Sequence, residues 1–163
     1  MSNKTIKFLT ICFLVLLSSF IVVKLRDFTQ IKVEKYPTPG PSEIALSEAI
    51  SRHKNSEIPI VDLSKITTFS WDRVYVFGPY TELSKIDSVV GKSWHNYCFT
   101  TIDSYDGFAL LIFTNKSQFV NCIELPRDVA DFASLETHKA GFSAKEAQFI
   151  LDAKGNMIWV DNK

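Results

Sequence analysis

The distribution of apolar and charged residues divides the chain into three parts. Residues 8–23 are uncharged, and they are apolar apart from one threonine and two serines. Residues 36–42 contain three prolines and a glycine, whereas residues 43–163 mix apolar and polar positions as globular domains do. We therefore predict a signal anchor or transmembrane segment over 1–27, a semi-rigid proline-rich linker over 28–42 and one domain over 43–163.

The apolar run over residues 8–23 lies between two classes of targeting segment. A membrane-spanning helix needs about 20 apolar residues, whereas the apolar core of a cleaved signal peptide has about 7–15. No small-residue cleavage site follows, so we predict an uncleaved anchor in the inner membrane, with the carboxyl-terminal domain in the periplasm or outside the cell. Lipid attachment at Cys12 is the alternative, but this cysteine lies early in the run and follows the large Ile11.

Period-two alternation is clearest between Phe69 and Phe77. Successive side chains there belong to opposite faces, and both faces become apolar towards the end, which is typical of a strand inside a sheet. Gly78 begins the turn that ends this strand. A helix is predicted over 82–91 with Thr81 as its N-cap, because apolar residues recur at intervals of three and four.

Two β-hairpins are predicted nearer the carboxyl terminus. Residues 108–114 and 119–125 are rich in apolar and β-branched side chains and flank a polar turn. Residues 146–151 and 156–160 flank a second turn, in which Gly155 is expected to take the left-handed conformation.

The first element of the domain is predicted to be an amphipathic helix over 43–54, with Ser42 as its N-cap. Residues 58–61 are apolar but contain a proline, which suits an edge strand or an extended connection. Together these elements predict an α+β fold. It consists of an amino-terminal transmembrane helix, then a mainly antiparallel sheet built of hairpins, with helices packed on one face.

Composition narrows the functional classes. The chain has 18 Lys plus Arg and 18 Asp plus Glu, so its formal net charge is zero. A basic surface that would attract nucleic acid is therefore not expected. The sequence contains no glycine-rich phosphate loop, serine elbow or paired CxxC motif, and its histidines lack the spacing of a metal site. We expect no cofactor and no metal.

Few residues carry candidate chemistry. Cys98 and Cys122 either form a disulfide that closes a loop of about 25 residues or remain two separate buried thiols. The enzymatic alternative is a small envelope hydrolase in which carboxylates of Asp103 and Asp106 act with His95. The same aspartates also have the pattern of an ordinary turn.

Binding residues are predicted in the aromatic part of the chain. Asp72 and Arg73 are charged neighbours in an apolar strand. Each is expected to make a structural hydrogen bond or ion pair or to face solvent, and as binding residues they would mark an edge that faces a partner. The aromatic excess is either core or an exposed anchor for a protein or a glycan. It includes Tyr80, Trp94, Tyr97 and Phe99.

The functional prediction is a membrane-tethered, non-enzymatic module that binds a protein, of the immunity type or an envelope accessory protein. Its partners would be the membrane, through the amino-terminal helix, and a protein of the envelope. A structural subunit whose sheet edge is occupied by another chain is a further hypothesis.

The motif WDRVYVFGPYT over Trp71–Thr81 is followed by an acidic residue and a short helix that ends at a glycine. It resembles a pattern in small exported bacterial proteins of uncharacterised function, many of them lipoproteins. Later segments are similar as well, and together with the motif they cover most of residues 66–150. The resemblance implies export and membrane anchoring, but it brings no activity and no catalytic residue. The chain differs from the lipoprotein members because it lacks a cysteine placed for acylation.

Overall fold

Antiparallel sheets form the framework of the domain in the computed structural model, which describes residues 40–54, 56–57 and 59–161. In chain order, the elements of these residues are α1 (Pro41–His53), β1 (Ile60–Asp62), α2 (Leu63–Ile66), β2 (Arg73–Phe77), α3 (Leu83–Val90), a 3₁₀ helix (Lys92–Asn96), β3 (Phe108–Asn115), β4 (Gln118–Pro126), a second 3₁₀ helix (Ala133–Thr137), β5 (Phe142–Ser143), β6 (Gln148–Leu151) and β7 (Met157–Trp159). Within them, the larger sheet has the strand order β4-β3-β2-β5 and the smaller sheet β1-β6-β7, with antiparallel strand pairing throughout. The predicted α+β class is confirmed.

The larger sheet is buried on both faces because its central strand is apolar at successive positions. In β3, Ala109, Leu111 and Phe113 pack into one hydrophobic cluster, whereas the alternate residues Leu110 and Ile112 pack into another. All five side chains are buried. A continuous apolar run is what a strand covered on both faces requires.

Different elements cover the two faces. The first cluster receives Leu46 and Ile50 from α1, and Phe149 from the smaller sheet. The second cluster receives Ile86 from α3 and Trp94 from the first 3₁₀ helix. The prediction that helices pack on one face is therefore wrong. Because both faces of the sheet are apolar, both need a cover, and α1 and α3 lie against opposite faces.

Both predicted hairpins are confirmed. β3 and β4 are joined by Lys116 and Ser117, which both have positive φ angles, as a tight hairpin turn requires. The turn between β6 and β7 contains Gly155, whose φ angle is 90°. β2 lies inside the larger sheet, as its two apolar faces predict, but it begins later than predicted, at Arg73.

The helices differ from the prediction at their amino termini. α1 begins at Pro41, within the predicted linker, so the predicted cap Ser42 lies inside the helix and Gly40 is the N-cap. Proline suits the first helical turn because it has no N–H group to leave unpaired. α3 begins at Leu83, and the hydroxyl of Thr81, which was the predicted cap, donates to the carbonyl three residues before it, at 2.6 Å.

The edges of the larger sheet are poor templates for a further strand. β4 has an irregular register opposite Phe113 and ends at Pro126. The side chain of Asn121 accepts the backbone N–H of Cys122 at 2.9 Å. At the opposite edge, β5 has only two residues. Short, irregular and proline-ended strands resist strand addition, so these edges do not favour the structural-subunit hypothesis. β1 is an edge strand of the smaller sheet, as predicted.

The predicted transmembrane segment over 1–27 lies outside the described residues, as does most of the predicted linker. Among the helices that the structure describes, none combines the length and the apolar character needed to cross a membrane. The membrane anchor therefore stays a prediction from the sequence.

Replacing Gly141 by alanine should destabilise the domain more than the same change at Gly91. Both glycines have positive φ angles, 64° and 79°. At Gly141 an added Cβ would lie 2.6 Å from the carbonyl oxygen of Val74, whereas at Gly91 nothing lies within 4 Å. Urea unfolding should show a loss of about 1–2 kcal/mol for Gly91→Ala and roughly 1–3 kcal/mol more for Gly141→Ala. Equal losses would contradict the close approach to β2.

Candidate functional site

The segment 97–101 follows the first 3₁₀ helix and is fixed to β4. A disulfide joins Cys98 to Cys122, with the two Cα atoms 6.1 Å apart. The ring of Tyr97 stacks on Phe119, with centroids 5.5 Å apart and planes inclined by 11°. The sequence left a disulfide and two separate thiols open, and the structure shows the disulfide. One covalent bond and one ring stack therefore hold this segment on the sheet.

Glu124 of β4 faces the same segment. Burial raises the pKa of Glu124, and hydrogen bonding by Thr100 and Thr101 offsets part of this effect. Its Oε1 atom is buried and has no hydrogen-bond partner in the structure that is described. Burial also raises the pKa of Glu43 in α1, and the negative charge of Glu124 adds to that rise. Two carboxyl groups thus bind protons more tightly than usual at the β4 edge.

A carboxylate of α3 anchors the first 3₁₀ helix. Oδ1 of Asp87 accepts a hydrogen bond from Nε1 of Trp94 at 2.9 Å and lies 2.7 Å from Nε2 of His95. Burial raises the pKa of Asp87, but the hydrogen bonds from Trp94 and His95 outweigh it, so the pKa is below its ordinary value. Trp94, a predicted binding residue, is only 1% exposed. It is therefore a buried anchor, because its indole N–H has an internal acceptor.

The hydrolytic arrangement gains no direct support. The ring of His95 binds Asp87, and no hydrogen bond or ion pair among the described residues links it to Asp103 or Asp106. Both of these aspartates are exposed, and Cys98 is held in the disulfide. No group of three or more potential metal ligands was found in the part of the chain that the structure describes.

Asp72 and Arg73, for which the sequence left structural contacts, exposure to solvent or a partner-facing edge open, bind other parts of the domain. Oδ2 of Asp72 accepts the backbone N–H of Lys116, in the β3–β4 turn, at 2.7 Å. Nη1 of Arg73 donates to the carbonyl of Ala140, before β5, at 2.7 Å. Since β2 lies between β3 and β5, neither residue marks a free sheet edge. Their charges satisfy backbone groups of neighbouring turns.

Tyr80 is the predicted binding residue that stays at the surface. Its side chain is 62% exposed, and its φ angle of 61° is uncommon for a tyrosine. The backbone N–H of Tyr80 donates to the carbonyl of Ile102 at 2.7 Å, which holds the turn. Strained backbone of this kind is enriched at binding sites, so Tyr80 remains a candidate contact residue.

A groove of about 410 Å³ opens beside the fixed segment. Its lining residues are Ser93, Tyr97, Gln118, Phe119, Val120 and Asn121. We call it the aromatic groove. Tyr97 is 70% exposed, and Phe99, two positions further along the chain, is 88% exposed. Exposed aromatic rings therefore lie on both sides of the disulfide-bonded cysteine.

The outer face of the smaller sheet carries a row of isoleucines. Ile60 of β1 lies directly opposite Ile150 of β6, which lies directly opposite Ile158 of β7. Residues directly opposite each other project from the same face of a sheet, so the three side chains form one aliphatic stripe, which we call the isoleucine face. The three are 38%, 39% and 52% exposed.

A second cavity, of about 370 Å³, adjoins the isoleucine face at Ile60. Its polar lining comes from His53, Asp62, Lys65 and Gln148. Nζ of Lys65 lies 3.1 Å from Oδ2 of Asp62, and the lysine side chain is 78% exposed. Burial raises the pKa of Asp62, but hydrogen bonds from Ser64 and Lys65 outweigh this effect, so the pKa lies below its ordinary value. An ion pair whose exposed member is the lysine therefore lies at one end of the aliphatic stripe.

Sequence reasoning did not find either surface. Ile150 and Ile158 lie in the predicted second hairpin, and its turn would have placed them opposite each other. The pairing of Ile60 with Ile150 joins distant segments and has no local signal. Tyr97 and Phe99 were recognised as part of the aromatic excess, but composition does not indicate which rings are exposed.

Glu124→Gln should flatten the dependence of stability on pH in the acid range. A carboxyl group whose pKa is raised by folding contributes stability below its unfolded pKa, and this contribution is lost as the pH rises through the folded pKa. Glutamine does not ionise. The free energy of unfolding of the variant should therefore exceed that of the wild type most at neutral pH and least near pH 4, which is about the ordinary pKa of a glutamate. Urea unfolding at both pH values measures the difference.

Asp87→Asn is the matched control, because the pKa of Asp87 is lowered. Its carboxylate stabilises the fold at pH values above the unfolded pKa, and this stabilisation is lost as the pH falls through the folded pKa. The free energy of unfolding of the wild type should therefore exceed that of Asp87→Asn by the largest margin at neutral pH. The same sign of change in both variants would contradict the opposite environments of the two carboxyl groups.

Comparisons with known proteins give no information about the family or the function of this chain. No protein-family model matches the chain, and neither the curated proteins nor the solved structures contain a match. The resemblance of the Trp71–Thr81 motif to exported bacterial proteins stays an expectation. The features that bear on function are the isoleucine face, the aromatic groove and the disulfide, which favours an oxidising compartment.

Proposed function

We propose that the chain is a membrane-tethered, non-enzymatic module of the bacterial envelope, of the immunity type or an envelope accessory protein, which binds a protein partner through the isoleucine face. The observation that carries the proposal is the register that sets Ile60, Ile150 and Ile158 in one row across three strands. Contiguous apolar side chains on a surface mark contact sites. An aliphatic stripe suits the apolar surface of another protein.

The stripe supplies a modest hydrophobic contribution to binding. Fully burying one isoleucine contributes about 1.5–3 kcal/mol. The three residues are between 38% and 52% exposed, so completing their burial contributes roughly 3 kcal/mol in total. This is the scale of a central cluster in an interface, around which further contacts are needed.

The polar surroundings of the stripe favour one kind of partner. The cavity beside Ile60 is lined by the imidazole of His53 and by the ion pair between Lys65 and Asp62, in which the lysine is the far more exposed member. A partner with an acidic side chain next to its apolar patch would place that carboxylate near Lys65. Complementary charge at the rim of an interface sets orientation and the rate of association.

Export and tethering are the other part of the proposal. The apolar run over residues 8–23 supports an amino-terminal transmembrane helix ahead of the domain. The disulfide between Cys98 and Cys122 supports an oxidising compartment, since such bonds are rare in reducing cytosol. The proposed location is the inner membrane, with residues 43–163 in the periplasm or outside the cell.

Site-specific photo-crosslinking of the full chain in cells tests the partner proposal. A photoreactive amino acid at Ile158 should give one discrete protein adduct. The same group at Ile44, which is 47% exposed on α1, should not. Adding Ile60→Thr and Ile150→Thr should abolish the adduct while the domain stays folded, because each change costs about 1 kcal/mol and threonine also favours strands. An adduct that survives these changes, or appears equally from Ile44, would contradict the proposal.

Cell fractionation with protease accessibility tests the tether and the side of the membrane. The full chain should sediment with membranes and resist extraction by alkaline carbonate. Protease added to cells with an opened outer membrane should degrade residues 43–163, whereas a cytoplasmic control protein should survive. Degradation only after the inner membrane is broken would rule out export, and release by carbonate would rule out the anchor.

A further inference from the structure

We propose that the aromatic groove is a binding site for a neutral sugar chain. This site goes beyond the protein-binding proposal and does not depend on it, because the groove lies on β4 of the larger sheet and the isoleucine face lies on the smaller sheet. The volume of about 410 Å³ falls within the range of roughly 300–1,000 Å³ that small-ligand sites occupy.

The charge of the lining excludes most ionic ligands. Among the described residues that line the groove, none carries a charge at neutral pH. Phosphate and carboxylate groups are bound mainly by arginine and lysine, and neither residue lines the groove. An aromatic ring can bind a cation, but no carboxylate of the lining would balance its charge. The lining combines uncharged polar groups with aromatic rings, which favours a ligand that is neutral and rich in hydroxyl groups.

Tyr97 supplies the surface on which a sugar ring can stack. Its ring is held by the near-parallel stack on Phe119 and by the disulfide of the adjacent Cys98. The ring remains 70% exposed. The face of a pyranose is made of C–H groups, which carry partial positive charge and pack against the negative face of an aromatic ring. The groove therefore offers an apolar platform for one face of a sugar.

Polar groups around this platform match the hydroxyl groups of a sugar. No hydrogen bond among the described residues uses the hydroxyl of Ser93 or the side-chain amide of Gln118. Asn121 already donates to Ser42 at 3.2 Å and accepts from Cys122 at 2.9 Å, which leaves it one further N–H. Hydroxyl and amide groups both donate and accept, as sugar hydroxyls do.

The groove is formed before any ligand binds. Its two sides belong to the β3–β4 hairpin and to the segment around Tyr97, and the disulfide links these two parts covalently. A preorganised site loses less conformational entropy on binding, which matters most for a ligand that forms few contacts. The rigid attachment of an exposed tyrosine is therefore favourable for a weak sugar site.

Calorimetric titration of the full chain in lipid nanodiscs tests the proposal. The probes are two neutral tetrasaccharides, tetra-N-acetylchitotetraose and cellotetraose, and the anionic control is tetragalacturonic acid. At least one neutral probe should bind with a Kd of about 1 mM or lower, and the anionic probe should bind more weakly than that neutral probe. No heat from both neutral probes, or tighter binding of the anionic one, would overturn the assignment.

Variants locate the site. Tyr97→Ala should weaken binding about tenfold or more, which corresponds to ~1.4 kcal/mol, whereas Tyr97→Phe should retain binding because it keeps the ring. Ile44→Ala removes an exposed apolar side chain of α1, outside the groove, and should leave the Kd unchanged. An unchanged Kd in Tyr97→Ala would overturn the proposal. So would a photoreactive group at Gln118 that captures a protein while neither sugar binds, because the groove would then belong to a protein contact.

Discussion

The larger sheet has to be covered on both faces, and the rest of the domain follows from this constraint. β3 carries buried side chains on each face, and its two alternating sets belong to two separate hydrophobic clusters. α1 and the smaller sheet complete the first cluster, while α3 and the first 3₁₀ helix complete the second. The two candidate binding surfaces belong to these covers. The isoleucine face is the outer side of the smaller sheet, and the aromatic groove lies where the second cover meets β4.

The two covers are held by different interactions. The smaller sheet holds itself together by the ladder hydrogen bonds of its antiparallel strands. The second cover is irregular beyond α3, and it depends on the disulfide between Cys98 and Cys122 and on the hydrogen bond from Trp94 to Asp87. In the chain-entropy description, closing a loop of about 25 residues contributes roughly 3 kcal/mol. Such a bond compensates for the few backbone hydrogen bonds of an irregular segment and for the buried Oε1 of Glu124.

Local patterns predicted the elements, whereas long-range neighbours decided the roles of individual residues. The two hairpins, the interior position of β2 and the end of α3 at Gly91 follow from alternation, turn residues and helical spacing. Asp72 and Arg73 could not be interpreted in this way, because their acceptors and donors lie in turns about 40 and 70 positions away. Trp94 likewise became core because it joins the hydrophobic cluster of Leu110 and Ile112 in β3, a strand that comes later in the chain. The isoleucine face required the pairing of β1 with β6, which no local signal specifies.

The isoleucine face is small and binds weakly by itself, so the proposed tether would be needed for it to hold a partner. A contribution of about 3 kcal/mol corresponds by itself to a Kd weaker than 1 mM, which is too weak to hold a freely diffusing partner. Confinement to one membrane, or to one linked assembly, replaces the free concentration of a partner by an effective concentration in the millimolar range. A second weak contact, such as the aromatic groove with a sugar chain, would multiply this effect if both can be engaged at once. Weak surfaces of this kind are therefore more useful to an anchored protein than to a soluble one.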